Sequence, residues 1–375
     1  MFYFIPSIYE PNTAVSNRNM GFIRFFSEKN IDTQVLFFRP DKDFSTIEVH
    51  YPNINYHYYW KRGWINHSIL CYLSILLYLL KFYLKLKKGD KVFFIEQAYI
   101  WTHILRKRGI EVFAEYTENP EVTGIGGRFL TPSYPKFYRK CAQLSGLFVI
   151  STALKEWFIG HGVNVDNIHI VNMTVDPTRF STVRKTEDEK YIAYCGTLLN
   201  NKDGVDQLIR AFSITHQTFP DVKLYIIGKA PEEEEECANK DLVYDLHLEN
   251  HVVFTGIIPA AEMPQVLKNS VALALARPDN MQAKYGFPTK LGEYLLTGNP
   301  VVVTAVGDIP IFLHDGKNAL VSEPDDNAAF ATKLNWVLLH DAEAAIIGEN
   351  GCQTALESFN SEIETQKIVN AIFHS

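Results

Sequence analysis

The sequence predicts an α/β fold built from two doubly wound, Rossmann-like domains. With 375 residues, the chain is longer than one ordinary hydrophobic core and suits two domains. Short apolar runs rich in β-formers alternate with helical stretches, which is the pattern of βαβ units, and the series starts again after a polar gap. The predicted strands cover residues 2–5, 34–38, 91–95, 111–114 and 147–150, then 191–195, 223–227, 251–254, 271–275 and 301–304.

The polar gap at residues 177–190 has the composition of a linker and marks the domain boundary. We therefore expect domains at residues 1–178 and 179–358. A last helix is predicted over residues 359–373. The sequence does not reveal where it docks, and packing of residues 359–375 onto the first domain is one option.

Composition and charge exclude several classes of protein. The chain is 47% hydrophobic and 21% charged, which is typical of a globular protein. The net charge of −7 is uneven, since residues 1–180 are net positive and the remainder is net negative, so we expect the first half to meet any anionic surface. The basic residues are dispersed and no nucleic-acid motif accompanies them, so we expect no nucleic-acid partner.

Cysteine usage and the N-terminal residues predict a cytoplasmic protein. Five widely spaced cysteines without a C-x-x-C pair suit a reducing compartment and offer no zinc site. The first residues lack the basic leader and the apolar core of a signal peptide.

Residues 69–84 form the most apolar run of the chain, and three interpretations stay open. Sixteen residues interrupted by Lys81 are short for a transmembrane helix, which needs about 20. A buried helix of the first domain is the ordinary alternative. The tryptophans and lysines that flank the run also suit a helix lying on a membrane surface, at the inner face of the membrane.

A glycine turn follows the first strand of the second domain. Gly196 begins the segment Gly-Thr-Leu-Leu-Asn-Asn-Lys-Asp-Gly, which leads into an amphipathic helix. A glycine there lets backbone N–H groups approach a phosphate, and Lys202 supplies a point charge. The alternative is purely structural, because many strand-to-helix turns use glycine.

Residues 285–303 are more informative, since they comprise a glycine-containing loop, a helix and a buried strand. A helix start with Lys290 beside it can hold a diphosphate, and the carboxylate of Glu293 can accept two hydrogen bonds from a ribose diol. Diphosphate and ribose together indicate a nucleotide.

These two stretches resemble retaining glycosyltransferases of family 4, also called glycosyl transferases group 1, which have the GT-B fold. Residues 222–228, 252–256, 307–310 and 315–321 extend the resemblance over nearly the whole second domain, whereas in the first domain it is limited to residues 151–155 and 172–180. The resemblance implies that Lys202 and the backbone of residues 287–290 contact the donor diphosphate, that Glu293 binds the ribose, and that residues near 228 and 256–258 line the base pocket. The predicted donor site comprises Gly196, Thr197, Lys202, Gly228, Lys229, Ile258, Tyr285, Gly286, Phe287, Pro288, Thr289, Lys290 and Glu293.

The sequence departs from the family pattern at two positions. Thr197 stands where an arginine is common, and we expect Arg277, at the end of a predicted strand, to point into the cleft and replace that charge. Tyr285 stands where the family commonly has its first glutamate, so the donor sugar cannot be inferred by analogy.

The acceptor site is predicted from strand ends in the first domain. Glu118 follows one predicted strand, and Asn12 and Thr13 follow another. Glu118 is predicted to contact the acceptor or sugar, and the alternative is that it is a solvated loop carboxylate. Asp41-Lys-Asp43 has a metal-binding D-x-D spacing, but we interpret it as a solvated turn.

The sequence thus predicts an enzyme that transfers a sugar, with retention, from a nucleotide diphosphate to a saccharide acceptor in surface polysaccharide or glycan synthesis. A lipid-linked acceptor and a peripheral membrane contact fit the basic, apolar first half. Lys202, Arg277 and Glu118 are the predicted catalytic residues, and stabilisation of the leaving diphosphate needs no protein nucleophile, cofactor or metal. The alternatives are a sugar-nucleotide epimerase and a non-catalytic subunit that binds nucleotide sugars.

Overall fold

A computed structural model describes residues 1–6, 9–11, 13–38, 46–58, 69–96, 98–124, 133–186 and 189–374, with side chains undescribed at 69–76 and 99. The chain divides into two compact units. The first consists of Met1–Asn172 with Ser361–Ser375, and the second of Met173–Asn360. The change of unit therefore lies a few residues before the position expected from composition.

The first unit contains a parallel sheet of seven strands in the described part of the chain. They are β1 (Phe2–Ile5), β2 (Thr33–Phe37), β3 (Ile54–Tyr58), β4 (Lys91–Ile95), β5 (Glu111–Tyr116), β6 (Gly146–Val149) and β7 (Ile168–Ile170). Their order in the sheet is β3-β2-β1-β4-β5-β6-β7, so the direction of winding reverses between β1 and β4. Ligands bind at such a reversal in doubly wound folds.

Helices alternate with these strands along the chain. They are α1 (Ala14–Glu28), α2 (Ile69–Lys85), α3 (Ala98–Lys107), α4 (Pro120–Thr123), α5 (Tyr134–Cys141) and α6 (Thr152–Gly160). The helix α1 begins after Thr13, whose side chain accepts a hydrogen bond from the N–H of Ser16 and so caps the helix. The core is unusually aromatic, with Phe4 stacked on Phe93 at a centroid distance of 5.2 Å.

The second unit contains a parallel sheet of six strands among its described residues. They are β8 (Tyr191–Cys195), β9 (Lys223–Ile227), β10 (Val252–Gly256), β11 (Ala272–Leu275), β12 (Val301–Thr304) and β13 (Leu320–Ser322). The order β10-β9-β8-β11-β12-β13 is the Rossmann order, with its reversal between β8 and β11.

The helices of this unit fill the intervals between its strands. They are α7 (Asn200–Asp203), α8 (Val205–Thr218), α9 (Glu233–Asp245), α10 (Met263–Asn269), α11 (Met281–Tyr285), α12 (Thr289–Leu296), α13 (Ile309–Phe312), α14 (Asn327–Leu339) and α15 (Asp341–Ser358). The chain then returns to the first unit as α16 (Ser361–Phe373).

The last helix docks on the first unit, a point that the sequence left open. Ile368, Val369 and Ile372 of α16 are buried in the same aromatic cluster as Phe2 and Phe26. Glu364 is buried as well, and its carboxylate accepts a hydrogen bond of 2.7 Å from the backbone N–H of Asn172. Apolar packing and this buried hydrogen bond together hold the C-terminal segment against the first sheet.

The predicted fold class, two doubly wound α/β units, is confirmed. Every predicted strand exists, with ends that differ by at most two residues. The strands β3, β7 and β13 were not predicted. In β3, Asn55 and His57 interrupt the apolar pattern of a strand at the edge of the sheet, and β7 and β13 have three residues each.

The apolar run at residues 69–84 is a helix, but its described half is not buried. Leu77, Leu80 and Leu84 of α2 are 60%, 52% and 65% exposed, whereas Phe82 is buried. The interpretation as a wholly buried helix is therefore wrong for residues 77–84. Across the described stretches of the chain, we find no helix with the length and apolarity that a membrane span requires.

Candidate functional site

The glycine turn of the second unit lies where its sheet reverses. The strand β8 ends at Cys195 and leads through Gly196 into α7, and the neighbouring strand β11 leads into Arg277. Both segments leave the carboxyl edge of the sheet at adjacent positions. This is the place at which a doubly wound sheet offers backbone N–H groups to a phosphate.

Two glycines in this region are required by close backbone packing. Gly228 follows β9 with φ of 131°, and a Cβ atom there would collide with the carbonyl oxygen of Gly196. Gly204 has φ of 65°, and a Cβ atom there would collide with the carbonyl oxygen of Ala276. The turns after β8, β9 and β11 therefore touch one another through their backbones, which leaves no room for side chains between them.

A buried ionic cluster lies beneath this turn. Asp203 is 2% exposed and forms an ion pair with the ammonium group of Lys290. The hydroxyl of Tyr194 lies 2.9 Å from Asp203 Oδ2 and 3.2 Å from Lys290 Nζ. The cluster joins α7 to the start of α12, two segments that are far apart in the sequence. The sequence analysis did not select Asp203, because an aspartate before a glycine is common in turns.

Arg277 belongs to the same cluster, and its position corrects the sequence analysis. We expected it to point into a cleft, but its side chain is 3% exposed. Its Nε donates a hydrogen bond of 3.0 Å to the carbonyl of Lys202 and lies 4.0 Å from Asp203 Oδ1. The guanidinium thus supports the turn from below. A direct contact of Arg277 with phosphate stays a prediction.

The position of Lys290 also differs from the prediction, which placed this lysine beside an open helix start. Its side chain packs against the turn, so that a Cβ atom at Gly196 would come within 2.7 Å of Lys290 Cε. Burial lowers the pKa of Lys290, and Asp203 opposes that effect. The structure therefore brings a cation directly to the glycine turn and holds it there by an ion pair.

The predicted phosphate-binding lysine lies on the turn itself. Lys202 is half-buried in the single turn of α7, and its carbonyl accepts the hydrogen bond from Arg277. Thr197 is exposed, and its carbonyl oxygen lies 2.7 Å from the hydroxyl of Tyr194. Both residues thus lie within the segment that begins at Gly196 and ends at Gly204.

The helix α12 begins at Thr289 without a side-chain cap. Pro288 is the N-cap residue and makes no side-chain hydrogen bond to the first turn. The loop before it is buried, at Tyr285, Gly286, Phe287 and Pro288. An uncapped N-terminus keeps its first N–H groups available to an anion, and the helix dipole favours negative charge there.

Glu293 lies one turn into α12 and is bound by an arginine that the sequence analysis did not select. Its Oε1 accepts a hydrogen bond from Nη1 of Arg179, and the two side chains are 28% and 27% exposed. Burial raises the pKa of Glu293, and the guanidinium of Arg179 opposes that rise. Arg179 was missed because it is 114 positions away and sits in the polar segment that we interpreted as a linker.

The residues predicted for the base pocket follow β9 and β10. Gly228 is partly buried and Lys229 is exposed. In the turn after β10, Ile257 is 79% exposed and Ile258 is partly buried. The N–H of Gly228 donates a hydrogen bond of 2.9 Å to the carbonyl of Gly256, so the two turns are adjacent.

The first unit has its own group of carboxylates at strand ends. Glu118 is half-buried beyond β5. Glu96 directly follows β4, beside the reversal of the sheet, with φ of 63°, a left-handed conformation that costs free energy in any residue except glycine. The pKa of Glu96 is raised, first by loss of hydration and then by the charges of Glu118 and Glu115. Glu96 was missed because backbone strain leaves no trace in a sequence.

The remaining acceptor predictions have mixed outcomes. Thr13 caps α1, and its hydroxyl donates a hydrogen bond of 2.9 Å to the carbonyl of Glu10, so its position is explained by helix formation. Asn12 and the D-x-D sequence at 41–43 lie outside the described residues. Within the described residues, no cluster of three or more His, Cys, Asp or Glu side chains is arranged to hold a metal ion.

Comparison with known protein families bears directly on the second unit. Residues 189–340 match the model of the family described as glycosyl transferases group 1. The second unit thus resembles this family over residues 189–340. The matched residues include the glycine turn, the ionic cluster and Glu293, so the resemblance based on sequence motifs is confirmed.

Proteins with similar sequences have diverse names. A GDP-mannose-dependent alpha-(1-6)-phosphatidylinositol monomannoside mannosyltransferase of Mycolicibacterium smegmatis is 30% identical over 198 residues, covering 49% of this chain and 50% of that protein. An N-acetyl-alpha-D-glucosaminyl L-malate synthase of Bacillus anthracis is 28% identical over 180 residues, covering 47% of this chain and 43% of that protein. The chain spans about half the length of these relatives.

Solved structures extend the likeness to both units at the level of the fold. The Anabaena protein Alr3699/HepE in complex with UDP has a TM-score of 0.75 at 18% identity and covers 100% of both chains. The lipopolysaccharide outer core galactosyltransferase WaaB has a TM-score of 0.69 at 20% identity, covering 100% of this chain and 99% of that one. The GT-B fold expected from the resemblance is thus confirmed.

Proposed function

We propose that the chain transfers a sugar from a nucleotide diphosphate donor to a saccharide acceptor, with retention of the anomeric configuration. The observation that carries the proposal is the grouping of Gly196, Lys290, the uncapped start of α12 and Glu293 at one edge of the second sheet. Backbone N–H groups and a fixed ammonium suit a diphosphate, and a carboxylate one turn on suits a ribose diol.

The proposed mechanism places most of the work on the leaving diphosphate. Negative charge develops on it as the glycosidic bond breaks, and preorganised N–H groups and cations stabilise that charge best when they need not move. The ion pair with Asp203 holds Lys290 in place before the donor binds. Lys202 on the turn would supply a second cation, and Arg277 would contribute its charge from beneath the turn.

Names of relatives and structural neighbours support a nucleotide-sugar donor without specifying one. The mycobacterial relative is named as GDP-mannose-dependent, and the Anabaena protein has been solved in complex with UDP-glucose. We propose a donor of this class, with no metal or other cofactor. The acceptor site would lie on the first unit, near Glu118 and Glu96.

Binding of the donor is tested by thermal shift. Purified protein is melted with UDP, GDP, ADP and CMP and with their sugar conjugates, in parallel with the variants Lys202→Ala and Glu293→Ala. Stabilisation by one nucleotide that is reduced in both variants supports the proposed site, because ligands that bind only the folded state raise its melting temperature. Lys317→Ala and Glu249→Ala are controls that remove exposed charges from the same unit and should behave as wild type. No stabilisation by any nucleotide would contradict the proposal.

Product analysis then separates transfer from the alternatives. Incubation of the stabilising nucleotide sugar with candidate saccharides should release the nucleotide diphosphate and yield a glycoside with the donor's anomeric configuration, detected by NMR. Conversion of the donor sugar without any acceptor would indicate an epimerase. Binding without turnover under any condition would indicate a non-catalytic subunit.

We also propose that the first unit contacts an anionic membrane surface, where a lipid-linked acceptor would be found. Leu77, Leu80 and Leu84 are spaced so that they share one face of α2, and all three are exposed. Lys81 and Lys85 on the same helix are exposed too. Apolar side chains flanked by lysines suit the headgroup layer of an anionic bilayer, and the cysteine usage suits its cytoplasmic side.

Vesicle flotation tests this contact. The chain should float with vesicles of phosphatidylglycerol and not with neutral phosphatidylcholine vesicles, and a triple serine variant at residues 77, 80 and 84 should lose the effect. A double serine variant at Leu339 and Ile346, which are exposed on the second unit, serves as the control. Equal flotation of wild type and triple variant would contradict the membrane contact and leave the donor site unaffected.

A further inference from the structure

The segment that begins the second unit at Met173 is packed tightly against α12, the helix that carries Glu293. Met173 and Val175 are buried, and the N–H of Val175 donates a hydrogen bond of 2.9 Å to the carbonyl of Phe359. Gly292 of α12 faces them so closely that a Cβ atom there would collide with Val175 Cγ1 and lie 2.8 Å from Met173 Cε. Glycine at this position therefore brings the entering segment into contact with the helix that carries Glu293.

The next residues form a short, well-anchored turn. Pro177–Phe180 is a 3-10 turn whose N-cap, Asp176, accepts hydrogen bonds of 3.0 Å from the N–H of Thr178 and 2.7 Å from its hydroxyl. Phe180 is buried and fixes the far end. Arg179 lies between these two anchors, and its guanidinium donates to Glu293 Oε1. The arginine is thus presented to the carboxylate by a constrained backbone.

Arg179 is the principal charge partner of Glu293 among the residues that the structure describes. Cys195 and Tyr294 are described titratable groups that also interact with the Glu293 carboxylate, and Lys290 interacts in turn with Cys195. Burial raises the pKa of Cys195 to about 11 and that of Tyr294 well above its usual range, so both are neutral near pH 7. The ammonium of Lys290 is engaged by Asp203.

We propose that Arg179 is a positioning residue that orients Glu293 for recognition of the donor's ribose. The inference rests on the donor site proposed above. A carboxylate has two oxygens and about four lone-pair positions, so a hydrogen bond from Arg179 to Oε1 leaves acceptor positions for both ribose hydroxyls. Without the arginine, the carboxyl group would be free to rotate, and its burial would favour the protonated form, which accepts hydrogen bonds less well.

The test compares the ribose preference of Arg179 variants by isothermal titration calorimetry. The ligands are UDP, GDP and ADP and their 2′-deoxy counterparts, and the pair used for all variants is the one that wild type binds most tightly. Arg179→Met should bind the ribonucleotide about tenfold more weakly, because hydrogen bonds to a charged group contribute on that scale. Its discrimination against the deoxy ligand should fall to about twofold or less, and Arg179→Lys should recover part of both effects.

Two controls separate this role from a general structural one. Arg184→Met removes an exposed arginine of the same segment whose described hydrogen bonds go to the backbone carbonyls of Ser181 and Val183, and it should bind as wild type. In a Glu293→Gln background, Arg179→Met should cause little further loss, since the two residues act through the same hydroxyls.

The pH dependence supplies an independent readout. The pKa of Glu293 is already raised, and removing Arg179 removes the group that lowers it. As the pH is lowered, the affinity of Arg179→Met for the ribonucleotide should therefore begin to fall at a higher pH than the affinity of wild type.

The outcomes are distinguishable. Tighter binding by Arg179→Met would overturn the inference and show that the arginine competes with the donor, and equal losses for ribo and deoxy ligands would overturn it in favour of a purely structural role. Either result would leave the proposed function standing. Absence of nucleotide binding by wild type would overturn both.

Discussion

Replacing Asp203 by leucine should destabilise the second unit severely. The carboxylate is 2% exposed, forms an ion pair with Lys290, lies 2.9 Å from the hydroxyl of Tyr194 and lies 4.0 Å from Arg277 Nε. Its loss leaves two buried cations without their shared counter-charge. Breaking a buried pair from one side costs about 3–5 kcal/mol. We therefore expect the free energy of unfolding to fall by about 4 kcal/mol.

The double variant Asp203→Leu/Lys290→Met tests the cause of that loss. Because apolar residues of similar size can replace a buried ion pair at little cost, the second substitution should restore about 2 kcal/mol of the loss. Urea denaturation followed by circular dichroism measures each free energy of unfolding. Glu189→Gln is the matched control, since it breaks an exposed pair with Lys223 and should cost less than about 1 kcal/mol.

The stability of the single variant Asp203→Leu should depend on pH. Burial lowers the pKa of Lys290 in the folded protein, so its charged form opposes folding at pH values below that pKa and the opposition is relieved as the pH rises through it. Removal of Asp203 lowers the pKa further. The deficit of Asp203→Leu relative to wild type should thus shrink as the pH is raised from neutrality towards the usual pKa of lysine, about 10.4. A deficit no larger than that of Glu189→Gln, or a double variant no more stable than the single one, would refute the reasoning.

Three further predictions concern backbone geometry and the docking of α16. Gly228→Ala should lower the free energy of unfolding in urea by about 3 kcal/mol and abolish nucleotide binding, because its Cβ would displace the backbone of the glycine turn. Gly316→Ala is the control, since Gly316 has φ of 68° but open space around it, and it should cost about 1 kcal/mol. Equal costs would contradict the steric argument. Glu96→Gly should raise the free energy of unfolding by about 1 kcal/mol, since glycine tolerates φ of 63°, and Glu96→Ala should not; a gain in both would point to charge rather than strain. Glu364→Ala should destabilise the first unit by about 1–3 kcal/mol, because it removes the acceptor of the hydrogen bond from the N–H of Asn172. Unchanged stability would show that this hydrogen bond does not contribute to the docking of α16.

Much of the second unit could be predicted from the sequence because its signals are local. The strands Tyr191–Cys195, Lys223–Ile227 and Val301–Thr304 were predicted to the residue, since continuous apolar runs bounded by turns specify buried strands. The glycine turn and the Lys290–Glu293 helix were found for the same reason, as their chemistry is contained in stretches of about ten residues.

In the first unit, local signals were weaker. The strand Ile54–Tyr58 carries Asn55 and His57 and was not predicted, because an edge strand tolerates polar residues that a central strand excludes. The run beginning at Ile69 was correctly predicted to be a helix, but its apolar composition did not reveal that Leu77, Leu80 and Leu84 are exposed.

What the sequence by itself determined is the fold class, the family of the second unit and the turn and helix that form its candidate donor site. Only the tertiary structure decided the partners of the charged residues there. Arg277 lies beneath the turn, Lys290 is held by Asp203, and Glu293 is bound by Arg179 from 114 positions away. Secondary structure follows from patterns between neighbours in the chain, whereas an ion pair depends on which segments packing brings together, and no short stretch of sequence contains that information.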